Sequence, residues 1–170
     1  MRISGGWELT SLNLPTSGQV RARARVMGGQ YSGSGGLLET VTTFSIPYSA
    51  LENWRLTYFG NPANTGAGAD LNDFDQDGII NVVEFAFGLD PTQNSAGQLP
   101  QPHLINNNLV VSFTEPAGVS GINYGAEWSA RLTPGSWTLV SDTGITPQHT
   151  FSVPIGTNET LFIQLKITRP

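Results

Sequence analysis

The stretch Asp73-Phe-Asp-Gln-Asp-Gly-Ile-Ile-Asn-Val-Val-Glu84 decides how this chain is organised. Carboxylates stand at its first, third and fifth positions (Asp73, Asp75, Asp77), with Gly78 sixth, Asn81 ninth and Glu84 twelfth. That is the spacing of the twelve-residue EF-hand calcium loop. Ca2+ is a hard ion that takes six to eight oxygens. Three Asp carboxylates, the backbone carbonyl of Ile79, the side chain of Asn81 (directly or through water) and both oxygens of Glu84 would supply them. Gly78 falls where the loop must turn sharply with positive φ. Without a cation, four carboxylates this close would repel one another strongly. A cage of several carboxylates suits Ca2+ better than the smaller Mg2+. The reading predicts Ca2+ as the cofactor, Asp73, Asp75, Asp77, Ile79, Asn81 and Glu84 as its ligands, and Ile80 as the apolar packing residue of the loop.

The charge distribution agrees. Only 12% of the 170 residues are charged, against a typical ~25%, and the net charge is −5. Six carboxylates (Asp70, Asp73, Asp75, Asp77, Glu84, Asp90) lie in a stretch with no Lys or Arg, so everything else together carries +1. A net charge of −5 and a pI of about 4.8 argue against nucleic acid as a partner. There is no cysteine, which excludes disulfides, thiolate catalysis and zinc–thiolate sites. No run of 18 apolar residues offers a membrane span. The N-terminus lacks the apolar core of a signal peptide, so export would require a longer parent chain.

Working outward from the loop, Ser49 and Glu52 form a capping box. They open a helix whose apolar face carries Leu51, Trp54 and Tyr58, and Gly60 and Pro62 stop it. Residues 61–72 read as a loop, and a second short helix spans Ile80–Phe87, closed by Gly88 and Pro91. The first helix ends thirteen residues before Asp73, so the helix that enters a true EF-hand is missing. A single loop of this kind suits a structural ion better than a sensor. Asp70 and Asp90 are expected to act as caps.

On both sides the periodicity is two. Residues 7–46 read as three strands: Trp7–Leu14, Gln19–Val26 and Leu37–Ile46. In the middle one Val20, Ala22, Ala24 and Val26 share one face and Arg21, Arg23 and Arg25 the other, the mark of a half-buried antiparallel strand. The Gly/Ser-rich stretch 28–36 lacks the Gly-Lys-Ser/Thr ending of a phosphate loop and is expected to be a hairpin loop. Residues 91–102 read as a linker. Strands are expected at Leu109–Thr114, Asn123–Ser129, Trp137–Val140, His149–Val153 and Leu161–Thr168, a spacing that suggests a small β-sandwich. The expected fold is therefore mainly β: antiparallel units joined by a helix–calcium loop–helix segment. Its divisions are a blade-like strand unit (1–47), the calcium module (48–92), a linker (93–102) and a small antiparallel β-sandwich (103–170).

Three stretches carry a family resemblance: Glu52-Asn-Trp-Arg-Leu-Thr-Tyr-Phe-Gly60, the Asp loop, and Asn81-Val-Val-Glu-Phe-Ala-Phe-Gly-Leu-Asp-Pro91. With Tyr124–Ser129, Trp137 and Phe162–Thr168, they resemble the C-terminal region of large secreted proteins of environmental bacteria. Gln164 stands where that family has Arg. The calcium loop is similar to those of dockerins, although dockerins carry two loops and cohesin binding is not implied. Trp7–Phe44 resembles the last repeat of a delta-sixty-type β-propeller. The resemblance implies an extracellular or cell-surface location, calcium, and stalk or anchor duty within a longer parent chain.

The expected function is a calcium-binding extracellular structural or interaction domain, the ion stiffening the junction between two β units. Polysaccharide or cell-surface components are the expected partners. A second reading is a calcium-dependent hydrolase of a small ester, lactone or glycosidic bond, in which an exposed ion polarises a carbonyl or water. It would draw on the loop carboxylates with His149 or Glu127. Glu115, Glu127 and Asp142 are the other carboxylates that could pair. The sequence has no complete Gly-x-Ser-x-Gly, and His103 and His149 are expected at exposed loops or strand edges. A third reading is a carbohydrate-binding module, with Trp137 the most open of the four Trp and Trp54 and Trp128 committed to packing.

Overall fold

The structure is a computed structural model. It describes residues 2–4, 6–7, 10, 14–26, 36–158 and 160–170. The chain divides into two compact units, Met1–Tyr48 and Ser49–Pro170.

In the first unit, β1 (Arg2–Ile3) pairs antiparallel with β2 (Gly6–Trp7). β3 (Ser17–Val26) and β4 (Gly36–Ser45) form a long antiparallel ribbon in which Val20 faces Thr42 and Arg23 faces Glu39. The expected strand Trp7–Leu14 and the loop 28–36 fall mostly outside the described residues. The expectation of a half-buried middle strand needs correction. Val20, Ala22 and Ala24 are exposed, as are Leu37, Leu38 and Val41, because a two-stranded ribbon has only one layer and cannot bury a face by itself. Glu39 accepts ion pairs from Arg21 and Arg23 on the other face. Such exposed pairs contribute little to stability.

The second unit begins with α1 (Ala50–Phe59). Ser49 caps it: its hydroxyl accepts from the Glu52 N–H at 3.2 Å, and the Glu52 carboxylate accepts from the Ser49 N–H at 2.7 Å. This is the capping box expected from the sequence, and these hydrogen bonds hold the Glu52 carboxyl below its usual range. The buried face differs from the expected one. Leu51 and Arg55 are buried, while Tyr58 is 37% exposed. α1 therefore turns a charged side chain inward, for reasons given with the site below.

After a 3-10 turn at Gly66–Gly68 and the Asp loop comes α2 (Asn81–Phe87). Its inward residues Val82, Phe85 and Ala86 are buried. Trp54 of α1 meets Phe85 edge-on at 5.9 Å, joining the two helices.

The rest is six strands in two antiparallel sheets. β5 (His103–Ile105), β6 (Asn108–Thr114) and β9 (Gln148–Pro154) form one, in the order β5-β6-β9. β7 (Asn123–Ser129), β8 (Thr138–Val140) and β10 (Phe162–Thr168) form the other, in the order β10-β7-β8. β5 was not foreseen. Its signal is the pair Asn106-Asn107, both at positive φ, which closes a two-residue hairpin onto β6. The most buried apolar side chains of the sheets are Val111 on β6, Ala126 on β7 and Phe151 and Val153 on β9. Phe87 of α2 stacks edge-on against Phe113 and Tyr124, so α2 is fastened to both sheets. Among the described residues the protein is thus mainly strands in antiparallel sheets, with two α-helices.

Candidate metal centre

Carboxylate oxygens of Asp73, Asp75 and Asp77 lie within 4.8 Å of one another, a group that could hold a metal ion. The loop folds this way through its own backbone. The Gly78 N–H donates to Asp73 at 2.9 Å, the Asp77 N–H is shared between Asp73 and Asp75 at 3.2 Å each, and the Ile79 N–H donates to Asp77 at 2.8 Å. Gly78 has φ +92°, a conformation nearly closed to other residues. Ile79, at 5% exposed, is the loop's deepest packing residue, whereas Ile80 is half-buried and caps α2. The position expected to pack is thus displaced by one residue.

Buried side-chain oxygens carry the fit test. Glu84 is 0% exposed, and neither of its oxygens has a hydrogen-bond partner. One oxygen of Asp75 and the side-chain oxygen of Asn81 are also buried and unpartnered. A buried acceptor left unpaired costs about 1–3 kcal/mol, more if charged. Burial pushes the Glu84 carboxyl up to about 7, and the charges of Asp75, Asp77, Asp73 and Asp90 add to the effect. The defect is the one a divalent cation would repair. The donors are oxygens throughout, as Ca2+ or Mg2+ prefers.

Asn81 has a further role. Its side-chain NH2 donates to the carbonyls of Ala67 and Ala69 at 2.7 and 2.8 Å. Asn72 donates to the same Ala67 carbonyl at 3.0 Å. The Asn81 and Val82 N–H groups reach the carbonyls of Asn72 and Asp70. The loop's two ends are therefore tied together, and the missing entering helix is replaced by a strap of backbone and amide hydrogen bonds.

Asp70 belongs to this support. It forms an ion pair with buried Arg55 and accepts from Arg169 at 2.6 Å and Asn64 at 3.1 Å. Burial pushes the Asp70 carboxyl up, but the hydrogen bonds from Arg169 and Arg55 outweigh it and hold it below its usual range. Arg55 also donates to the carbonyls of Gly68 at 3.0 Å and Pro62 at 3.3 Å. The loop 61–70 is thus pinned to α1, which explains the inward Arg55. Asp70 is therefore the counter-ion of an arginine and not the expected cap. Asp90 caps no helix either; it accepts from the N–H and hydroxyl of Thr92 and closes the turn that follows α2. Ser95, in the segment read as a linker, is 2% exposed, and its N–H donates to Asp77 at 2.5 Å.

Of the residues named for a hydrolase, the structure brings His149, Asp142 and Glu115 together and leaves Glu127 apart. Glu127 pairs with Lys166 on an exposed sheet face at 2.7 Å. His149 is 9% exposed, contrary to the expected surface position. Its Nδ1 lies 2.6 Å from Asp142 and its Nε2 3.8 Å from Glu115, and its ring stacks on Phe113 at 5.0 Å. Strand alternation accounts for the burial, since His149 shares a face with Phe151 and Val153. His103 is exposed, and Trp54, Trp128 and Trp137 are each half-buried. Among the described residues no helix is long and apolar enough to cross a membrane.

No protein family model, curated protein or solved structure matches this chain.

Proposed function

We propose that this is a calcium-binding structural domain of an extracellular bacterial protein, in which Ca2+ stiffens the segment joining the two β units along the chain. The observation that carries it is Glu84, fully buried with both carboxylate oxygens unpartnered beside the Asp73–Asp75–Asp77 cluster. Those four side chains would hold the ion, with the Ile79 carbonyl and the Asn81 side-chain oxygen. Bound there, Ca2+ supplies positive charge that offsets carboxylate repulsion and a cross-link between the loop and the first turn of α2. The chain's own part is orientation: Gly78 turns the loop, the Asn81 amide and Arg55 pin its flanks, and Phe87 and Tyr124 join α2 to the sheets. We read the two sheets as halves of a small β-sandwich, supported by the burial of Val111, Ala126 and Phe151. Secretion, membership of the C-terminal region of large bacterial surface proteins and attachment to polysaccharide or cell-surface components rest on the sequence resemblance.

Thermal unfolding with Ca2+ and with chelator tests the proposal. Free Ca2+ at a hundred times Kd should add ~2.7 kcal/mol, and Asp73→Ala should abolish the increment. Equal melting temperatures in both conditions would refute it.

A further inference from the structure

The segment Pro91–Pro102 was expected to be a plain linker, but it is fastened at one point to the metal loop and lies against the β sheets. Pro91 and Ser95 are fully buried. The Ser95 N–H donates to one oxygen of Asp77 while the other oxygen accepts from Ile79. Ser95 in turn holds the short 3-10 turn that follows, accepting from the Gln98 N–H at 2.8 Å. Immediately downstream, Leu99, Pro100 and Pro102 line an apolar groove of about 290 Å³ shared with Val83 and Phe87 of α2 and Leu165 of β10.

We infer that Ser95 is a positioning residue of the metal site, and that the Asp77–Ser95 hydrogen bond transmits metal occupancy to the strap over this groove. The inference rests on the calcium reading above. A carboxylate held by both a cation and a backbone N–H has one orientation. Without the cation, Asp77 is repelled by Asp73, Asp75 and Glu84, and its bond to Ser95 is the one that ties the strap to the loop. A charge-assisted hydrogen bond of this kind is roughly twice as strong as a neutral one, enough to decide whether a segment with so little regular structure stays closed.

Hydrogen exchange on the full chain, with Ca2+ and with chelator, tests the coupling. The expected result is that amides of 91–102 slow about tenfold or more on adding Ca2+, together with those of 73–84. If 73–84 slows and 91–102 does not, the coupling is wrong and the calcium reading stands. If neither slows and the melting temperature is unchanged, both fall. Ser95→Pro removes the donor, and Ser95→Ala keeps it. The proline variant should bind Ca2+ about tenfold more weakly and leave the strap unprotected at saturating Ca2+, while the alanine variant, which loses only the hydroxyl's bonds to Gln93 and Gln98 within the segment, keeps the parent's Ca2+ affinity and its Ca2+-dependent slowing of 91–102. Full strap protection in Ser95→Pro would overturn the proposal. If that variant fails to fold, the exchange comparison on the parent chain decides.

Discussion

The Tyr124 hydroxyl donates a 2.6 Å hydrogen bond to the carbonyl of Ala86. This joins the last turn of α2, whose first turn carries Glu84, to the central strand of one sheet. The last carbonyls of a helix have no partner within it, so the bond satisfies a group that would otherwise be buried unpaired. Burial, with a smaller contribution from Glu115, pushes the Tyr124 phenol up to about 12, so it stays a donor across the neutral range.

Tyr124→Phe should therefore cost about 1–2 kcal/mol, the penalty for an orphaned buried acceptor. The ring contacts to Phe87, Phe113 and His149 are kept, so packing should not change. Urea unfolding of the two proteins checks this. An unchanged midpoint would mean that water serves the Ala86 carbonyl equally well.

Arg55 has almost no access to solvent and depends on Asp70 for its counter-charge. Asp70→Asn should destabilise by about 3 kcal/mol, since removing one partner strands a buried charge. The pH dependence has a definite sign. The folded-state pKa of Asp70 lies below the ordinary Asp value, so its contribution is present above that value and lost as pH falls through the folded pKa. Unfolding midpoints of the parent should thus fall steeply below about pH 4, and less steeply in Asp70→Asn. Parallel acid profiles would show that the ion pair contributes nothing.

The clustering of Asp73, Asp75 and Asp77 was legible because the three lie within five residues of one another, and the cap of α1 was legible because Ser49 and Glu52 are close in sequence. The supports of the loop were not. Arg55 reaches Asp70 and Gly68, Asn81 reaches Ala67, and Ser95 reaches Asp77, pairings across 12 or more residues that no local pattern encodes. His149 was misread because polarity was weighed over strand alternation. The exposed Val20 and Ala22 show the opposite failure: period two says which residues share a face, not whether anything covers it.

Gly78→Ala isolates the loop's backbone requirement. A Cβ built there meets nothing within 4 Å, so the cost is conformational alone, about 1–2 kcal/mol for a residue forced to positive φ. Calorimetric titration should show Ca2+ affinity reduced about tenfold, with the β sheets unaffected by circular dichroism. Unaltered affinity would mean that the loop does not need its φ of +92° to bind.

Glu84→Gln separates a metal ligand from a residue that merely packs. With chelator present, the parent carries a buried carboxyl whose oxygens are unpartnered and whose neighbours are acidic. A neutral amide of the same shape removes the charge and its repulsion, so the variant should be more stable than the parent by about 1–3 kcal/mol. With excess Ca2+ the order should reverse. The parent gains the binding increment, ~2.7 kcal/mol at a hundred times Kd, and the variant, having lost its anionic ligand, gains little. Melting curves of both proteins in both conditions give the four values needed. A crossing in sign requires that a cation use Glu84. A substitution that shifts stability in the same direction with and without Ca2+ would assign Glu84 to packing and remove the central support for calcium at this loop.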